Sequence, residues 1–273
     1  MHVDLHTHTR YSDGSLTPAE LLERAIAAGV DVLSITDHDT IDAYNDDAIR
    51  LNSEIRLIPG IEFSAQWRDR GVHVLGLNID LENTDIRSSI VSQRTARIQR
   101  SECIAERLEN IGIKDTLQIA RQIAGHDSIA RTHFAQALVQ MNVVEDSKRA
   151  FKKYLGAGKA GDVKTNWALL QEIVEWIRSA NGVAVLAHPA KYNFTKTRLK
   201  SLISDFKEAG GQGIEVISGQ QTPDTTQHLA KLCGQYELLA SVGSDFHKPG
   251  LSWPNVGNVS ALPKSCRSVW ENL

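Results

Sequence analysis

Cysteine is scarce and widely spaced in this 273-residue chain, which has only Cys103, Cys233 and Cys266. The count is odd and no CxxC pair occurs, so neither a disulfide framework nor a thiolate zinc site is indicated. The start lacks a basic segment followed by an apolar one, and no uninterrupted apolar run approaches the length that crosses a bilayer. These absences favour a reducing, cytoplasmic setting over secretion or membrane insertion.

A strong excess of either charge is also absent. Thirty Lys and Arg against 33 Asp and Glu leave a net charge of −3, so the whole chain has no global positive field for a long polyanion. Apolar residues make up 41% and charged residues 23%, as in an ordinary globular protein. A nucleotide would need a local pocket. The length suits one α/β barrel or two ordinary domains.

The first part of the chain predicts a parallel strand, helix, strand unit. A short β-favourable stretch, HVDLH, precedes SLTPAELLERAIAAG. In that helix Thr17 is the N-cap, Pro18 the first helical residue and Glu20 the partner in a capping box. Gly29 ends the helix, and VDVLSITD (30–37) reads as a buried strand. Elements of these lengths imply a right-handed parallel crossover.

Further strands are predicted on both sides of a long helical stretch. Residues from about 84 to 180 contain no convincing strand, and apolar residues recur at helical spacing from Ile86 to Ile111. This pattern predicts a long amphipathic helix followed by shorter ones. We interpret residues 1–98 and 166–273 as two parts of one α/β barrel, and residues 99–165 as a helical insertion or lid. The other strand candidates are 55–65, 71–79, 182–189, 212–218 and 238–247.

Ionisable residues cluster where the predicted strands end. In a parallel α/β barrel the carboxyl ends of the strands meet at one mouth, so residues distant in sequence converge. A single histidine such as His73 is more often a core residue, and the HxH pair is only moderately specific by itself. Their joint occurrence predicts a metal cluster, because so many buried carboxylates and imidazoles are costly to satisfy otherwise. The candidate ligands are His6, His8, Asp13, His38, Glu62, His73, His188, Asp245 and His247.

The types of ligand narrow the choice of metal. Imidazole and carboxylate without thiolate suit Mn²⁺, Fe²⁺, Zn²⁺ or Co²⁺. Nine ligands are too many for one ion and suit two or three, with a carboxylate such as Glu62 as a bridge and a metal-bound hydroxide as nucleophile. Asp37, next to His38, is a candidate acceptor that orients ligand imidazoles. An equally good alternative for Asp37 is a buried carboxylate bonded to the backbone.

Six motifs resemble the successive motifs of one family. DLHTHTRYSDGSLTP, SITDHDT, GIEFSA, HVLGL, AHPAKY and GSDFH stand in the order expected for the PHP (polymerase and histidinol phosphatase) family of metal-dependent phosphoesterases. The closer resemblance is to the subgroup that contains the 3′,5′-nucleoside bisphosphate phosphatases and ribonuclease AM, a 5′ to 3′ exoribonuclease. That subgroup carries a helical insertion with a segment similar to ARTHFA, in which Thr132 stands where proline is usual.

The resemblance implies a distorted seven-stranded (β/α) barrel with a helical insertion domain. It also implies a cluster of two to three divalent ions, most commonly Mn²⁺, with Zn²⁺ or Fe²⁺ as alternatives. All nine ligand positions are filled, which argues against an inactive relative. The implied ligand sets are His6, His8, Glu62 and Asp245 for one ion, Glu62, His73 and His188 for a second, and Asp13, His38 and His247 for a third.

The resemblance further implies hydrolysis of nucleotides that carry a 5′-phosphate. The product would be a 3′-dephosphorylated nucleotide from a 3′,5′-bisphosphate, or mononucleotides from the 5′ end of short RNA or DNA. His188 is one candidate for the general acid, beside its role as ligand. A second, non-metal phosphate pocket is expected to involve Arg131, His133, Lys191 and Tyr192. Lys191 stands where related sequences usually have arginine, and lysine does not bind phosphate in a bidentate manner.

Three other functions stay open on the sequence alone. A histidinol-phosphate type of phosphomonoesterase is close kin, and a noncatalytic PHP module that regulates a partner belongs to a different class. An amidohydrolase also begins with HxH but commonly uses a bridging modified lysine, whereas the candidate here is Glu62. ARTHFA and the helical insertion favour the nucleotide branch. The expected partner is a nucleotide or short 5′-phosphorylated oligonucleotide, with no membrane and no obligate protein partner.

Overall fold

The computed structural model describes residues 1–164, 167–250 and 255–273 of the chain. Met1–Ile90 and Trp167–Leu273 form one unit, and Val91–Asn166 forms a second. We call them the α/β unit and the helical unit, because all strands of the described residues lie in the first. The predicted insertion, 99–165, lies within the bounds of the helical unit.

The strands form two hydrogen-bonded sheets. In chain order they are β1 (Val3–Thr7), β2 (Val32–Ile35), β3 (Arg56–Leu57), β4 (Gly60–Trp67), β5 (Arg70–Leu77), β6 (Val183–Leu186), β7 (Gly213–Ser218) and β8 (Leu239–Gly243). Strands β1, β2 and β3 make a parallel three-stranded sheet, and β4 to β8 make a five-stranded sheet in sequence order. In the larger sheet β5 is antiparallel to both β4 and β6, whereas β6, β7 and β8 are parallel.

The arrangement of β3, β4 and β5 differs from the sequence prediction. The stretch 55–65 is two strands, because Pro59 lies between β3 and β4 and cannot donate to a strand ladder. The expectation of successive parallel strands is wrong for β4 and β5, which form an antiparallel hairpin. Its two-residue turn, 68–69, has Arg68 at a φ of 52° and lacks the Asn-Gly signature of such turns.

Backbone hydrogen bonds link the two sheets beside the candidate ligands. On one side, His8 N donates to Phe246 O at 2.9 Å, so the end of β1 runs beside the residues after β8. On the other side, Asp39 N donates to Glu62 O at 3.0 Å, so the segment after β2 runs beside β4. These links bring the ends of strands from both sheets together.

The predicted first helix and the predicted long helix are both present, whereas three helices of the α/β unit lie where the sequence analysis named none. The helices are α1 (Pro18–Ala27), α2 (Asp47–Arg50), α3 (Thr84–Glu109), α4 (Thr116–Ala124), α5 (Arg131–Gln140), α6 (Ser147–Ala150), α7 (Leu170–Ser179), α8 (Lys196–Glu208) and α9 (Pro223–Gln235), with a π-helical turn over Phe151–Leu155. The capping box of α1 is confirmed: Thr17 Oγ1 accepts from Glu20 N at 3.2 Å, and Glu20 Oε2 accepts from Thr17 N at 2.8 Å. Among the described residues, no helix has both the length and the apolar composition needed to cross a membrane.

Each unit has its own apolar core. In the α/β unit, Phe63 of β4 is fully buried in the same cluster as Ile177 of α7 and Phe206 of α8. In the helical unit, Leu108 of α3 and Phe134 of α5 belong to a separate buried cluster. Removal of this apolar surface from water is the main driving force for folding of each unit.

The hydroxyl of Tyr44 is a buried link between β2 and the start of β4. It accepts from Gly60 N at 2.8 Å and donates to Ile35 O at 2.7 Å. Tyr44→Phe keeps the ring but leaves Gly60 N without this acceptor, so we expect the free energy of unfolding to fall by about 1–3 kcal/mol. Urea denaturation measures the change. Tyr11→Phe, at a half-buried tyrosine, is the control, and an equal loss in both variants would contradict the assignment.

Candidate metal centre

Glu62 lies at the centre of a cluster of imidazoles. Its side chain is fully buried, and it stands on β4. Its Oε2 is 3.0–3.2 Å from three ring nitrogens, and its Oε1 is 2.8 Å from two others. These nitrogens are His6 Nε2, His8 Nε2 and His38 Nδ1 for Oε2, and His73 Nδ1 and His188 Nε2 for Oε1. One carboxylate therefore contacts five of the candidate ligands.

Two further carboxylates extend this cluster. Asp245 Oδ1 lies 3.4 Å from His6 Nε2 and 3.3 Å from His8 Nε2. Asp13 Oδ1 lies 3.2 Å from His247 Nε2. The two imidazoles of the HxH motif point the same way, with their Nε2 atoms 3.1 Å apart. Strand alternation places residues i and i+2 on one side, so the motif delivers both rings to one place.

The candidate ligands fall into overlapping sets. Within each set, one ligand atom from every residue lies within 4.8 Å of the others. Ligands at about 2.1 Å from a shared ion lie about 3.0–3.4 Å apart in octahedral or tetrahedral geometry, which matches most of the separations around Glu62 and Asp245. The sets are His8, Asp13, His38 and His247; His6, Glu62 and His188; His6, His8 and Asp245; and His38, Glu62 and His73.

Backbone geometry places some of these ligands. Asp245 has a φ of 54° and His188 a φ of 28°. Residues other than glycine seldom adopt positive φ values, and those that do are often found at functional sites. Gly243 ends β8 beside β1. A Cβ at that position would lie 2.3 Å from His6 Cβ, so only glycine permits this approach. Local strain and a close strand contact therefore both occur at the cluster.

The carboxylates stay ionised despite their burial. Burial raises the pKa of Asp13, but the charge of His247, whose Nε2 is 3.2 Å away, holds that pKa well below its usual range. Burial likewise raises the pKa of Glu62, but the neighbouring charge of His6 holds that pKa well below its usual range. The cluster therefore presents fixed negative charge, which a divalent cation requires.

The donor atoms fit a metal better than a network of hydrogen bonds. Burial lowers the pKa of His38 well below its usual value, which leaves a neutral imidazole suited to a metal. Its Nδ1 lies 3.0 Å from Glu62 Oε2, yet neither buried atom makes a hydrogen bond within the described part of the chain. Burial also lowers the pKa of His8, but the neighbouring carboxylates of Asp245 and Glu62 raise it to about 10. Metal ions compete with protons for such nitrogens.

Glu215 on β7 is a residue that the sequence analysis did not select. Its Oε1 lies 2.9 Å from His6 Nδ1, and its Oε2 accepts from His188 N at 2.5 Å. Because a carboxylate oxygen accepts, His6 carries its proton on Nδ1 and turns the lone pair of Nε2 toward the cluster. The only signal in the sequence is one acidic residue inside the apolar strand GIEVIS.

Asp37 holds the loop that joins His8 to Asp13. Its Oδ1 accepts from Thr9 N at 2.7 Å and from Ser12 Oγ at 2.6 Å, and its Oδ2 accepts from Thr9 Oγ1 at 2.5 Å. Of the two roles that the sequence left open for Asp37, these bonds agree with that of a buried carboxylate bonded to the backbone. Asp37 thus acts on the ligands through the backbone that carries them.

Two of the residues predicted to bind phosphate contact the ligands. Lys191 Nζ forms an ion pair with Asp245. The Tyr192 hydroxyl accepts from His73 N at 2.8 Å and donates to Ala187 O at 3.0 Å, so it fixes the backbone beside two ligands. Their roles toward phosphate stay predictions.

The other two residues predicted to bind phosphate belong to the helical unit. Arg131 and His133 stand in the first turn of α5. His133 Nδ1 accepts from Ala130 N at 3.1 Å, and Arg131 Nη1 donates to Leu155 O at 3.4 Å. Burial lowers the pKa of Arg131. Their roles toward substrate also stay predictions.

This geometry defines the class of protein. An α/β unit with nine clustered imidazole and carboxylate ligands, arranged around a shared carboxylate, is typical of enzymes that use several divalent ions. The family model described as PHP domain matches residues 4–183. The chain belongs to the PHP domain family.

Relatives in this family are similar over nearly their whole length. A Haemophilus influenzae protein named 5′-3′ exoribonuclease is 41% identical, with 99% of this chain and 98% of the relative covered. A Chromobacterium violaceum protein named 3′,5′-nucleoside bisphosphate phosphatase is 40% identical, with 99% and 96% covered. A solved structure described as an amidohydrolase from Chromobacterium violaceum, with bound sulfate and no metal, has a TM-score of 0.94 at 39% identity and covers 100% of this chain and 95% of that one.

Glu215→Gln tests how the His6 imidazole is held. A glutamine side chain has one acceptor oxygen and one donor nitrogen, so it cannot accept from both His6 Nδ1 and His188 N. We expect the affinity for Mn²⁺, measured by calorimetry, to fall about 10- to 100-fold. Glu175→Gln, on the exposed face of α7, is the matched control. Unchanged Mn²⁺ affinity in Glu215→Gln would show that this carboxylate does not position the ligands.

Proposed function

We propose that the chain is a metal-dependent phosphoesterase that hydrolyses nucleotides with a 5′-phosphate. It would remove the 3′-phosphate of a 3′,5′-nucleoside bisphosphate, cleave short 5′-phosphorylated RNA or DNA from the 5′ end, or do both. The observation that carries the proposal is the contact of one buried carboxylate, Glu62, with five imidazoles. Relatives at about 40% identity that are named for these two activities support it.

The proposed cofactor is a group of two to three divalent ions, most commonly Mn²⁺. The ligand set His6, His8 and Asp245 is supported by the 3.3–3.4 Å separations from Asp245, and Glu62 is its bridge to a second ion. Glu62 Oε1, at 2.8 Å from both His73 and His188, supports the second set. The proposed third set is Asp13, His38 and His247, which lie in one group with His8.

The residues of the chain have distinct parts in this chemistry. When bound, divalent ions supply an activated water and neutralise charge on the phosphoryl group. Glu62 and the two aspartates supply the negative charge that holds the ions. Lys191, at Asp245, places a cation beside the cluster for a phosphate oxygen. The two candidates for the general acid are His188 and a metal-bound water. Arg131, His133 and Tyr192 complete the proposed set for the substrate phosphate.

The proposed architecture is a distorted seven-stranded barrel with an insertion over residues 99–165. Among the described residues, seven of the eight strands have four or more residues, and β3 has two. The hydrogen bonds from His8 to Phe246 and from Asp39 to Glu62 support closure of the two sheets into one barrel. The helical unit, Val91–Asn166, supports the insertion. The three cysteines are free thiols, which supports a cytoplasmic location.

Hydrolysis of a C–N bond is the second candidate, since one similar structure is described as an amidohydrolase. Such sites commonly bridge two ions with a modified lysine. Here the central bridging position is filled by Glu62. Among the hydrogen bonds and ion pairs of the described residues, the Lys191 ammonium contacts only the outer ligand Asp245. The phosphoesterase proposal therefore accounts better for the ligands present.

Assays with the Mn²⁺-loaded protein test the proposal. We expect release of phosphate from adenosine 3′,5′-bisphosphate or of mononucleotides from a 5′-phosphorylated oligoribonucleotide, and little hydrolysis of histidinol phosphate or of amides. Glu62→Gln should abolish the activity, because an amide lacks the charge to bridge two ions. Exposed Glu175→Gln should retain it. A metal-replete protein that hydrolyses none of these substrates would instead support a noncatalytic module.

A further inference from the structure

The two units carry opposite net charge. Residues 91–166 contain 13 Lys and Arg and 8 Asp and Glu, a net charge of +5. The rest of the chain contains 17 Lys and Arg and 25 Asp and Glu, a net charge of −8. The near-neutral total therefore conceals a positive helical unit, and the lack of a global positive field does not exclude a local one.

One segment of the helical unit accounts for this excess. Residues 148–164, which we call the cationic segment, contain six Lys and Arg and a single acid, Asp162. Four of the cations lie on α6 and the π-helical turn after it, and all six are exposed. The six are Lys148, Arg149, Lys152, Lys153, Lys159 and Lys164.

Most of these cations lack an acidic partner. Arg149 forms an ion pair with Glu145 one turn earlier. Within the described residues, no carboxylate forms an ion pair with Lys148, Lys152 or Lys153. Lys148 and Lys152 are four residues apart on a helix, where like charges repel. The two exposed acids just before the segment, Glu145 and Asp146, both pair with Arg149. The three lysines therefore keep their positive charge, which suits an anion.

Apolar side chains of the cationic segment anchor its backbone to the helical unit. Phe151 and Tyr154, in the π-helical turn, pack against the apolar core of the helical unit. Such turns are rare and are frequently found at functional sites. In the loop that follows, Gly158 N donates to Asp162 Oδ2 at 2.8 Å, so that amide is not available to a phosphate. The lysine side chains, and not a cradle of backbone amides, present the positive charge.

We propose that the cationic segment binds the phosphate backbone of a single-stranded oligonucleotide substrate. This inference rests on the proposed exonuclease function and adds to it the surface that holds the strand. A strand longer than a few nucleotides must place its remaining phosphates outside the metal centre. The α/β unit has a net charge of −8 from its side chains, and two or three bound divalent ions would reduce this to −4 or −2. It therefore still repels those phosphates, whereas the helical unit attracts them.

The chemistry of lysine sets the kind of binding. Flexible ammonium groups contact phosphates as point charges and read no base, so the cationic segment binds strands independently of sequence. A 3′,5′-nucleoside bisphosphate has no further phosphates and gains nothing from it. The cationic segment therefore determines the preference for strand length and leaves the hydrolysis of small nucleotides unchanged.

The test is a charge reversal, Lys148→Glu with Lys152→Glu and Lys153→Glu. We expect kcat/KM for a 5′-phosphorylated 20-nucleotide oligoribonucleotide to fall at least about 10-fold. The slope of log kcat/KM against log salt concentration should become shallower by about 2, because each contact to a single strand contributes about 0.7. The value for adenosine 3′,5′-bisphosphate should stay the same, which also reports that the variant is folded. Substitution of the same three lysines by Gln should give a smaller change in the same direction, and it replaces the Glu variant if that variant unfolds.

The matched control reverses three exposed lysines of the α/β unit, with Lys200→Glu, Lys231→Glu and Lys264→Glu. It changes the total charge equally and should keep most of the activity on the 20-nucleotide strand. Equal activity of the two triple variants on that strand would overturn the inference. So would loss of bisphosphate hydrolysis in a folded variant of the cationic segment, or a wild-type protein that hydrolyses only the bisphosphate. A wild-type protein inactive on both substrates would reject the proposed function itself.

Discussion

The burial of one carboxylate, that of Glu62, is the constraint on which the rest of the α/β unit depends. A buried charge is costly unless it is paired, and Glu62 is paired by five imidazoles from different segments. The strand ends must meet closely for these contacts to form. Hydrogen bonds link the two sheets beside this residue. The same close approach of the strands therefore builds the α/β unit and pairs the buried charge of Glu62.

A second group of buried polar residues keeps the ligands in place. Glu215 holds the His6 ring and the backbone of His188, and Asp37 holds the loop that leads to Asp13. These groups touch the ligands or the backbone that carries them. The hydrogen bond to Glu215 fixes which nitrogen of the His6 ring faces the cluster, which decides whether that imidazole can bind a metal. The candidate centre is therefore larger than its nine ligands.

The two units of the proposed enzyme attract ions of opposite charge. The negative α/β unit collects divalent cations, which in turn attract a single phosphoryl group. The positive helical unit attracts the rest of a polyanionic strand. Relatives of about 40% identity carry the names of a nucleotide phosphatase and of an exoribonuclease. One metal centre suffices for both activities in our proposal, and a surface outside it selects for length.

The sequence by itself determined the features that have local signals. The capping box of α1 depends on Thr17 and Glu20, three residues apart, and the candidate ligands follow or lie within recognisable strands. The antiparallel pairing of β4 and β5 had no such signal, because the turn at 68–69 lacks the usual residues. Glu215 was missed for a related reason: its partner His6 is 209 residues away, and only the folded chain brings the two together. The spacing of residues along a strand or helix can be read directly from the sequence. Contacts between distant segments form only when the sheets pack, so the sequence alone does not show them.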